Sequence, residues 1–191
     1  MSRARPQAIV IGASAGAFEA LSNLLPDLPA AYPVPIMIVV HVPPHKRNLL
    51  VELFQARCRI EVREAEDKEP LRAGVAYFAP SNYHLLVEAD RTLSLSADEA
   101  VLFSRPAIDV LFESATDVYG EGLVGVVLTG ASSDGAKGLL AILSAGGVAI
   151  VQNPDTAYAA AMPQAAIEAC KEARVLSLTE IAAYLREAGE T

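Results

Sequence analysis

Three segments of the sequence each end a run of apolar residues with a side chain that hydrolytic chemistry uses. Ser14 lies in AIVIGASAGA, His41 in IMIVVHVPP and Asp134 in LVGVVLTGASSDGAKG. A serine nucleophile, a histidine base and an aspartate that fixes the imidazole tautomer make up a Ser/His/Asp triad. Ligands bind outside the carboxyl ends of the strands in an open parallel sheet. The three residues therefore predict a hydrolase site at that edge.

The elements that must position these residues alternate between short strands and amphipathic helices. Runs rich in Val and Ile at residues 8–11, 36–40, 123–128 and 147–151 are typical of strands covered on both faces. Between them, apolar residues recur every three or four positions and predict helices in FEALSNLLPDL, RNLLVELFQARC and AIDVLFESATDVYG. We therefore expect an α/β fold, with a doubly wound, mainly parallel sheet and helices on both faces.

Two further segments add to this prediction. Residues 74–96 contain β-rich pieces broken by Pro80-Ser81-Asn82 and by a second polar turn, and they predict an antiparallel hairpin at a sheet edge. The C-terminal stretch TEIAAYLREAGE has helical spacing, with Thr179 as the expected N-cap and Gly189 as the expected stop.

Length and composition limit the classes of protein to consider. The 191 residues fit one domain, and we expect a single catalytic domain over residues 1–191. No apolar run reaches the roughly 20 residues that span a bilayer, so we expect no direct membrane insertion. The opening MSRARPQ lacks the apolar stretch of a secretory signal, which favours a cytoplasmic location. The net charge of −8 argues against a nucleic-acid partner.

The sequence gives no sign of a cofactor. The two cysteines, Cys58 and Cys170, have no CxxC spacing and no His/Cys cluster around them, so they indicate neither a disulfide framework nor a zinc site. The nucleotide-binding patterns GxGxxG and GxxxxGK[ST] are both absent. We expect no metal and no organic cofactor.

The turn around Ser14 leaves three interpretations open. In GASAG, Gly12 and Gly16 let the chain leave the strand sharply. The amides that follow would stabilise an oxyanion formed when Ser14 attacks a carbonyl, bind a phosphate, or only complete a tight turn. The spacing differs from the G-x-S-x-G elbow, and the order Ser, His, Asp differs from that of the α/β-hydrolases. An ordinary α/β-hydrolase is therefore excluded.

The other titratable candidates also have structural interpretations. His41 ends a strongly apolar run and is the best candidate for the base, whereas His45 lies in a polar loop and His84 is either structural or part of a cleft rim. Asp134 either orients His41 or caps the following helix, AKGLLAILSA, and these roles are compatible. We interpret Lys137 as a surface residue rather than a counter-charge.

The ordered set of motifs resembles the CheB-type protein-glutamate methylesterases of bacterial chemotaxis. The resemblance extends from about Ala8 to about Leu185 and includes IGASAGA, VVHVPP and VLTGASSDGAKG, together with YFAPSNYHL, SRPAIDVLFESA and QNPDTAYAAAMPQAAIEA. It implies that Ser14, His41 and Asp134 are the catalytic triad. It also implies hydrolysis of glutamate γ-methyl esters on chemoreceptor signalling helices, which yields glutamate and methanol, and deamidation of receptor glutamines as a related activity.

The chain departs from this family's usual motifs in two loops. Ala15 and Ala17 stand where the family commonly has Thr and Gly, and Ala131 and Ser132 stand where it has Met and Gly. An alanine can still donate its backbone N–H. We therefore expect Ala15 and Ala131 to be oxyanion or pocket positions that act through the backbone.

Typical family members carry an N-terminal receiver domain, and we expect no such domain within residues 1–191. The expected partners are methylated chemoreceptors, with a receiver domain or a histidine kinase acting in trans. A catalytically weak binding module of a chemosensory-like pathway is the alternative from another class. An esterase or amidase for small molecules is a third hypothesis.

Overall fold

The computed structural model describes residues 5–42 and 49–190. The strands in this part of the chain are β1 Ala8–Ala13, β2 Ile36–Val40, β3 Glu61–Glu64, β4 Val75–Phe78, β5 His84–Val87, β6 Leu93–Ser96, β7 Leu123–Val127, β8 Val148–Gln152 and β9 Arg174–Leu176. The helices are α1 Ala17–Ser22, α2 Leu49–Gln55, α3 Ile108–Tyr119, α4 Ala136–Ser144, α5 Ala161–Ala169 and α6 Leu178–Glu190.

Seven of these strands form one parallel sheet in the order β3-β4-β2-β1-β7-β8-β9. β1 lies at its centre, with Ala13 paired to Val40 of β2 and Gly12 paired to Val127 of β7. The chain leaves β1 towards β2 and later returns to the other side of β1 as β7. The strand order therefore reverses at β1, and open α/β sheets bind ligands at such a point. The predicted doubly wound parallel sheet is confirmed.

Helices cover both faces of the sheet, which explains why its central strands are continuously apolar. Ile9 and Ile11 of β1 face a core that also contains buried residues of α1, α2 and α6. Val10, on the opposite face, belongs to a second core with α3, α4 and α5. Each fully buried Ile or Val contributes about 1.5–3 kcal/mol of hydrophobic free energy, so both faces stabilise the strands that carry the site.

The segment 74–96 contains the predicted antiparallel hairpin, but only in its second half. Strands β5 and β6 pair antiparallel, with His84 opposite Ser96, and form a separate two-stranded sheet rather than an extension of the main one. The first part, β4, joins the main sheet between β3 and β2. Val75–Phe78 is fully buried, as befits a strand with neighbours on both sides.

The last helix begins earlier than the sequence predicts. Ser177 precedes α6, and its backbone N–H donates to the Glu180 carboxylate while the Glu180 N–H donates to the Ser177 hydroxyl. This reciprocal capping box places the helix start before Thr179, and the helix continues through Gly189. Among the helices that the structure describes, none combines the length and apolar character needed to cross a bilayer.

Candidate active site

The three sequence-predicted residues follow three adjacent strands at the carboxyl edge of the sheet. Ser14 is the first residue after β1, His41 is the first after β2, and Asp134 lies in the loop between β7 and α4. The His41 N–H donates to the carbonyl of Ala13, at 3.1 Å, and the Ser14 N–H donates to the carbonyl of Thr129, at 2.9 Å. Backbone hydrogen bonds thus join the His41 and Thr129 segments to the Ser14 turn on its two sides.

His41 and Asp134 form a direct side-chain pair. Nε2 of His41 and Oδ2 of Asp134 are 2.7 Å apart, with the Asp134 side chain fully buried and that of His41 12% exposed. An ionised carboxylate only accepts hydrogen bonds, so Nε2 carries the proton and donates to it. Nδ1 of a neutral His41 ring is then the nitrogen with a lone pair, and it can take up a proton. In trypsin-like triads the two ring nitrogens have the opposite assignments.

The Asp134 carboxylate also binds the start of α3. The N–H of Ile108 donates to Oδ2, at 2.7 Å, and the N–H of Asp109 donates to Oδ1, at 2.9 Å. These two amides have no partner within their own helix, and the helix dipole favours a negative charge beside them. The sequence analysis offered a capping role in which Asp134 caps α4, the helix that follows it. Asp134 does cap a helix, but that helix is α3 and not α4.

Ser14 is half-buried, and its hydroxyl makes no hydrogen bond with the residues that the structure describes. Its turn depends on Gly16, which has φ +85° and whose added Cβ would come within 2.6 Å of the Tyr158 Cβ. The backbone N–H groups of Ala15 and Ala131 also have no acceptor among the described residues. Two amides beside the serine loop are therefore available to a substrate oxygen.

Two buried polar side chains that the sequence analysis missed hold this loop in place. The Thr129 hydroxyl donates to the Ala15 carbonyl, at 2.8 Å, and accepts the N–H of Ala159, at 2.9 Å. Gln152 in turn accepts the Thr129 N–H through Oε1, at 2.9 Å. Both side chains are about as buried as the core, with 1% relative exposure. Each follows or ends a buried Val-rich run, the same signal that identified Ser14 and His41.

The remaining histidines and Lys137 have structural or surface roles where the structure describes them. His84 is buried; its Nδ1 accepts the N–H of Ala107, at 3.1 Å, and its Nε2 donates to the carbonyl of Glu99, at 2.9 Å. The structural interpretation of His84 is therefore confirmed. The exposed Lys137 ammonium pairs with Glu113 at 2.9 Å. His45 lies outside the described residues.

The two cysteines are free and poorly suited to act as nucleophiles. Burial raises the pKa of the Cys58 thiol to about 11 and also raises that of Cys170. Because the thiolate is the reactive form, both side chains remain protonated and unreactive at neutral pH.

The fold and the site define a class: a doubly wound α/β domain that presents serine, histidine and aspartate side chains at the carboxyl edge of three adjacent strands. The sequence model of the family described as CheB methylesterase matches residues 9–185. The chain belongs to the CheB methylesterase family.

Similar proteins agree with this assignment. The chain is 51% identical over 176 residues to a putative protein-glutamate methylesterase/protein-glutamine glutaminase of Leptospira interrogans, covering 92% of this chain and 91% of that protein. It is 39% identical to the protein-glutamate methylesterase/protein-glutamine glutaminase of Symbiobacterium thermophilum, covering 95% of this chain but only 51% of that protein.

The fold matches a solved structure of the same family. The crystal structure of the Thermotoga maritima CheB methylesterase catalytic domain superimposes with a TM-score of 0.91 at 31% sequence identity, covering 96% of this chain and 99% of that one. The predicted resemblance to the catalytic domain of CheB-type enzymes is confirmed.

Proposed function

We propose that this protein is a serine-dependent protein-glutamate methylesterase that also deamidates glutamine side chains at equivalent positions. Its substrates are γ-methyl esters of glutamate on the signalling helices of chemoreceptors, and its products are glutamate and methanol. The observation that carries the proposal is the buried hydrogen bond between His41 and Asp134, which lies beside the Ser14 turn in a chain of the CheB methylesterase family.

The reaction follows from the groups at the sheet edge. Nδ1 of His41 takes the hydroxyl proton of Ser14 as Oγ attacks the ester carbonyl carbon. The negative charge that develops on the carbonyl oxygen is stabilised by the backbone N–H groups of Ala15 and Ala131. The tetrahedral intermediate collapses, the bond to the methoxy oxygen breaks, and this oxygen leaves as methanol with the proton from His41.

Water completes the cycle. His41 removes a proton from a water molecule, whose oxygen attacks the acyl-enzyme carbonyl. The bond between the carbonyl carbon and Ser14 Oγ then breaks, His41 returns the proton to Oγ, and the glutamate side chain is released. Asp134 stabilises the imidazolium that forms in both steps and keeps the proton of the neutral ring on Nε2. Deamidation uses the same steps, with ammonia as the leaving group in place of methanol.

We propose methylated chemoreceptors in the cytoplasm as the partners of this site. The names of the relatives support the type of substrate, a protein glutamate ester or glutamine. Several curated relatives are about twice as long as this chain, so regulation by a receiver domain or a histidine kinase in trans is part of the proposal.

Paired receptor fragments test this function. One fragment carries a γ-methyl glutamate at a signalling-helix position, a second carries glutamine there, and a third carries unmodified glutamate as the control. We expect methanol from the first, ammonia from the second and neither product from the third. Binding of the methylated fragment without product would favour the binding-module alternative. If p-nitrophenyl acetate is hydrolysed rapidly while the receptor methyl ester is not hydrolysed, the small-molecule esterase is favoured.

A further inference from the structure

The helices α3 and α4 cap each other. A side chain from just before α4 caps the first turn of α3, and a side chain from α3 caps the first turn of α4. Neither helix has a side-chain cap from its own N-cap residue, Ala107 for α3 and Gly135 for α4. Asp134, next to the start of α4, accepts the first amides of α3, as described above. The reverse contacts come from Asp109, the second residue of α3.

One carboxylate oxygen of Asp109 makes both reverse contacts. Oδ1 accepts the N–H of Gly135, at 3.0 Å, and the N–H of Gly138, at 2.7 Å. Because Asp109 also donates its own N–H to Asp134, the start of α3 and the start of α4 are linked by hydrogen bonds in both directions. The Asp109 side chain is buried, with 6% relative exposure, so these amides have little access to water as a replacement partner.

The close approach of the two helices depends on Gly138. A Cβ added there would lie 2.5 Å from the Cβ of Phe112 and 3.2 Å from Oδ1 of Asp109. A residue with a side chain would push α4 away from α3 and stretch the bond to Asp109. The absence of a side chain at Gly138 thus leaves space for Oδ1 of Asp109.

We infer that Asp109 is a positioning residue for the proposed reaction, because it fixes the backbone on the carboxyl side of Asp134 and thereby the direction of the Asp134 carboxylate towards His41. The inference rests on the proposed function, in which Asp134 orients His41. Gly135 directly follows Asp134 and is bound by Asp109, so loss of that acceptor releases one end of the aspartate loop. The other end is held by the Thr129 network.

The two contacts require an acceptor oxygen at the position of Asp109 Oδ1, but they do not require that the side chain carry a charge. Asp109→Asn keeps Oδ1 as an acceptor for both amides. Asp109→Glu keeps the charge but moves the oxygens by one methylene towards Gly138. Asp109→Ala removes the acceptor. The same three substitutions at Asp90, whose carboxylate accepts from Thr92 in the turn between β5 and β6, provide matched controls.

The test compares these six variants by kcat, KM and the proton NMR spectrum. The hydrogen-bonded Nε2–H of His41 gives a downfield resonance, which His41→Ala identifies by its loss. We expect Asp109→Asn to retain kcat within about threefold and to keep the resonance. We expect Asp109→Glu and Asp109→Ala to lower kcat by about 10- to 100-fold with little change in KM, since small misplacements of a catalytic group have effects of this size. Both should shift or lose the resonance.

Two outcomes would overturn the inference. One is a folded Asp109→Glu variant with the kcat and the resonance of the wild type. The other is equal loss in Asp109→Asn and Asp109→Glu, which would show that the residue acts through packing or exact identity rather than through the acceptor position. If Asp109→Ala does not fold, the comparison of Asp109→Asn with Asp109→Glu still tests the inference. The NMR measurement needs no substrate, so failure of the proposed function, with no methanol from the wild type, is separable from failure of this inference.

Discussion

Asp134 accepts a hydrogen bond from Nε2 of His41, with Oδ2 and Nε2 2.7 Å apart, and the same carboxylate caps the first turn of α3. One fully buried group therefore binds the proposed catalytic base and the start of a helix at the same time. A substitution that alters its hydrogen bonding should affect both activity and stability.

Asp134→Asn tests this double role. The amide has one acceptor oxygen and one NH₂ group, whereas the carboxylate accepts three hydrogen bonds, from His41, Ile108 and Asp109. In either orientation the NH₂ group faces a backbone donor. We expect the free energy of unfolding to fall by about 1–3 kcal/mol, the cost of an unsatisfied buried donor. We also expect kcat to fall by about 10⁴-fold, as in triads whose imidazole has the wrong tautomer.

Urea denaturation and methanol release measure the two effects separately. Ser132→Ala is a suitable control in the same loop, since the Ser132 hydroxyl accepts the Asp134 N–H only at 3.3 Å. An Asp134→Asn enzyme with normal stability and normal turnover would contradict both assigned roles.

Thr129→Val should weaken catalysis without touching the triad. Valine has nearly the shape of threonine but cannot donate to the Ala15 carbonyl or accept the Ala159 N–H. We expect a loss of about 1–3 kcal/mol in the free energy of unfolding and a lower kcat, because the Ala15 peptide beside Ser14 loses its anchor. Thr129→Ser keeps the hydroxyl and should restore most of the activity.

Thr116→Val is the matched control for this change. The Thr116 hydroxyl donates to the Phe112 carbonyl within α3. Its loss should leave kcat unchanged. If both valine variants have the same turnover as the wild type, the Thr129 hydroxyl does not position the serine loop.

Asp109→Asn should become more stable relative to the wild type as the pH rises. Burial and the charge of Asp134 raise the pKa of Asp109, and its hydrogen bonds from Gly138 and Gly135 only partly oppose this. The folded protein thus binds a proton at Asp109 more tightly than the unfolded chain does, for which the pKa is about 3.9. Between these two pKa values, stability falls with rising pH, and the asparagine variant lacks this loss.

Urea titrations of both proteins between about pH 4 and pH 7 measure the difference in the free energy of unfolding. The difference should favour Asp109→Asn increasingly towards neutral pH. A difference that moves towards the wild type as the pH rises would mean that the ionised carboxylate is preferred in the folded state.

The sequence predicted the central part of the sheet well, because β1, β2, β7 and β8 are continuous runs of Val and Ile whose burial on both faces has a clear pattern. It also predicted that Ser14 and His41 follow such strands. The sequence places VAYF in the hairpin region because it is one of several β-rich pieces that polar turns separate within residues 74–96. Its parallel partners, β2 and β3, are determined by the long-range topology of the sheet.

The contacts around Asp134 were harder to predict for a related reason. Its proximity to a helix start was visible in the sequence, but the helix that it caps begins at Ile108, in another segment. Asp109 had the spacing of an ordinary helix residue, and nothing local indicates that its carboxylate binds Gly135 and Gly138. These partners become neighbours only when α3 and α4 pack together.

Methanol release by wild type and Ser14→Ala, from a receptor fragment that carries a γ-methyl glutamate, tests the central claim most directly. Ser133→Ala, an exposed serine in the neighbouring loop, is the control, and all three proteins are compared at equal folded concentration. The account predicts release by the wild type and by Ser133→Ala, and none above background by Ser14→Ala. Turnover by Ser14→Ala at the wild-type rate would contradict a mechanism in which Ser14 is the nucleophile.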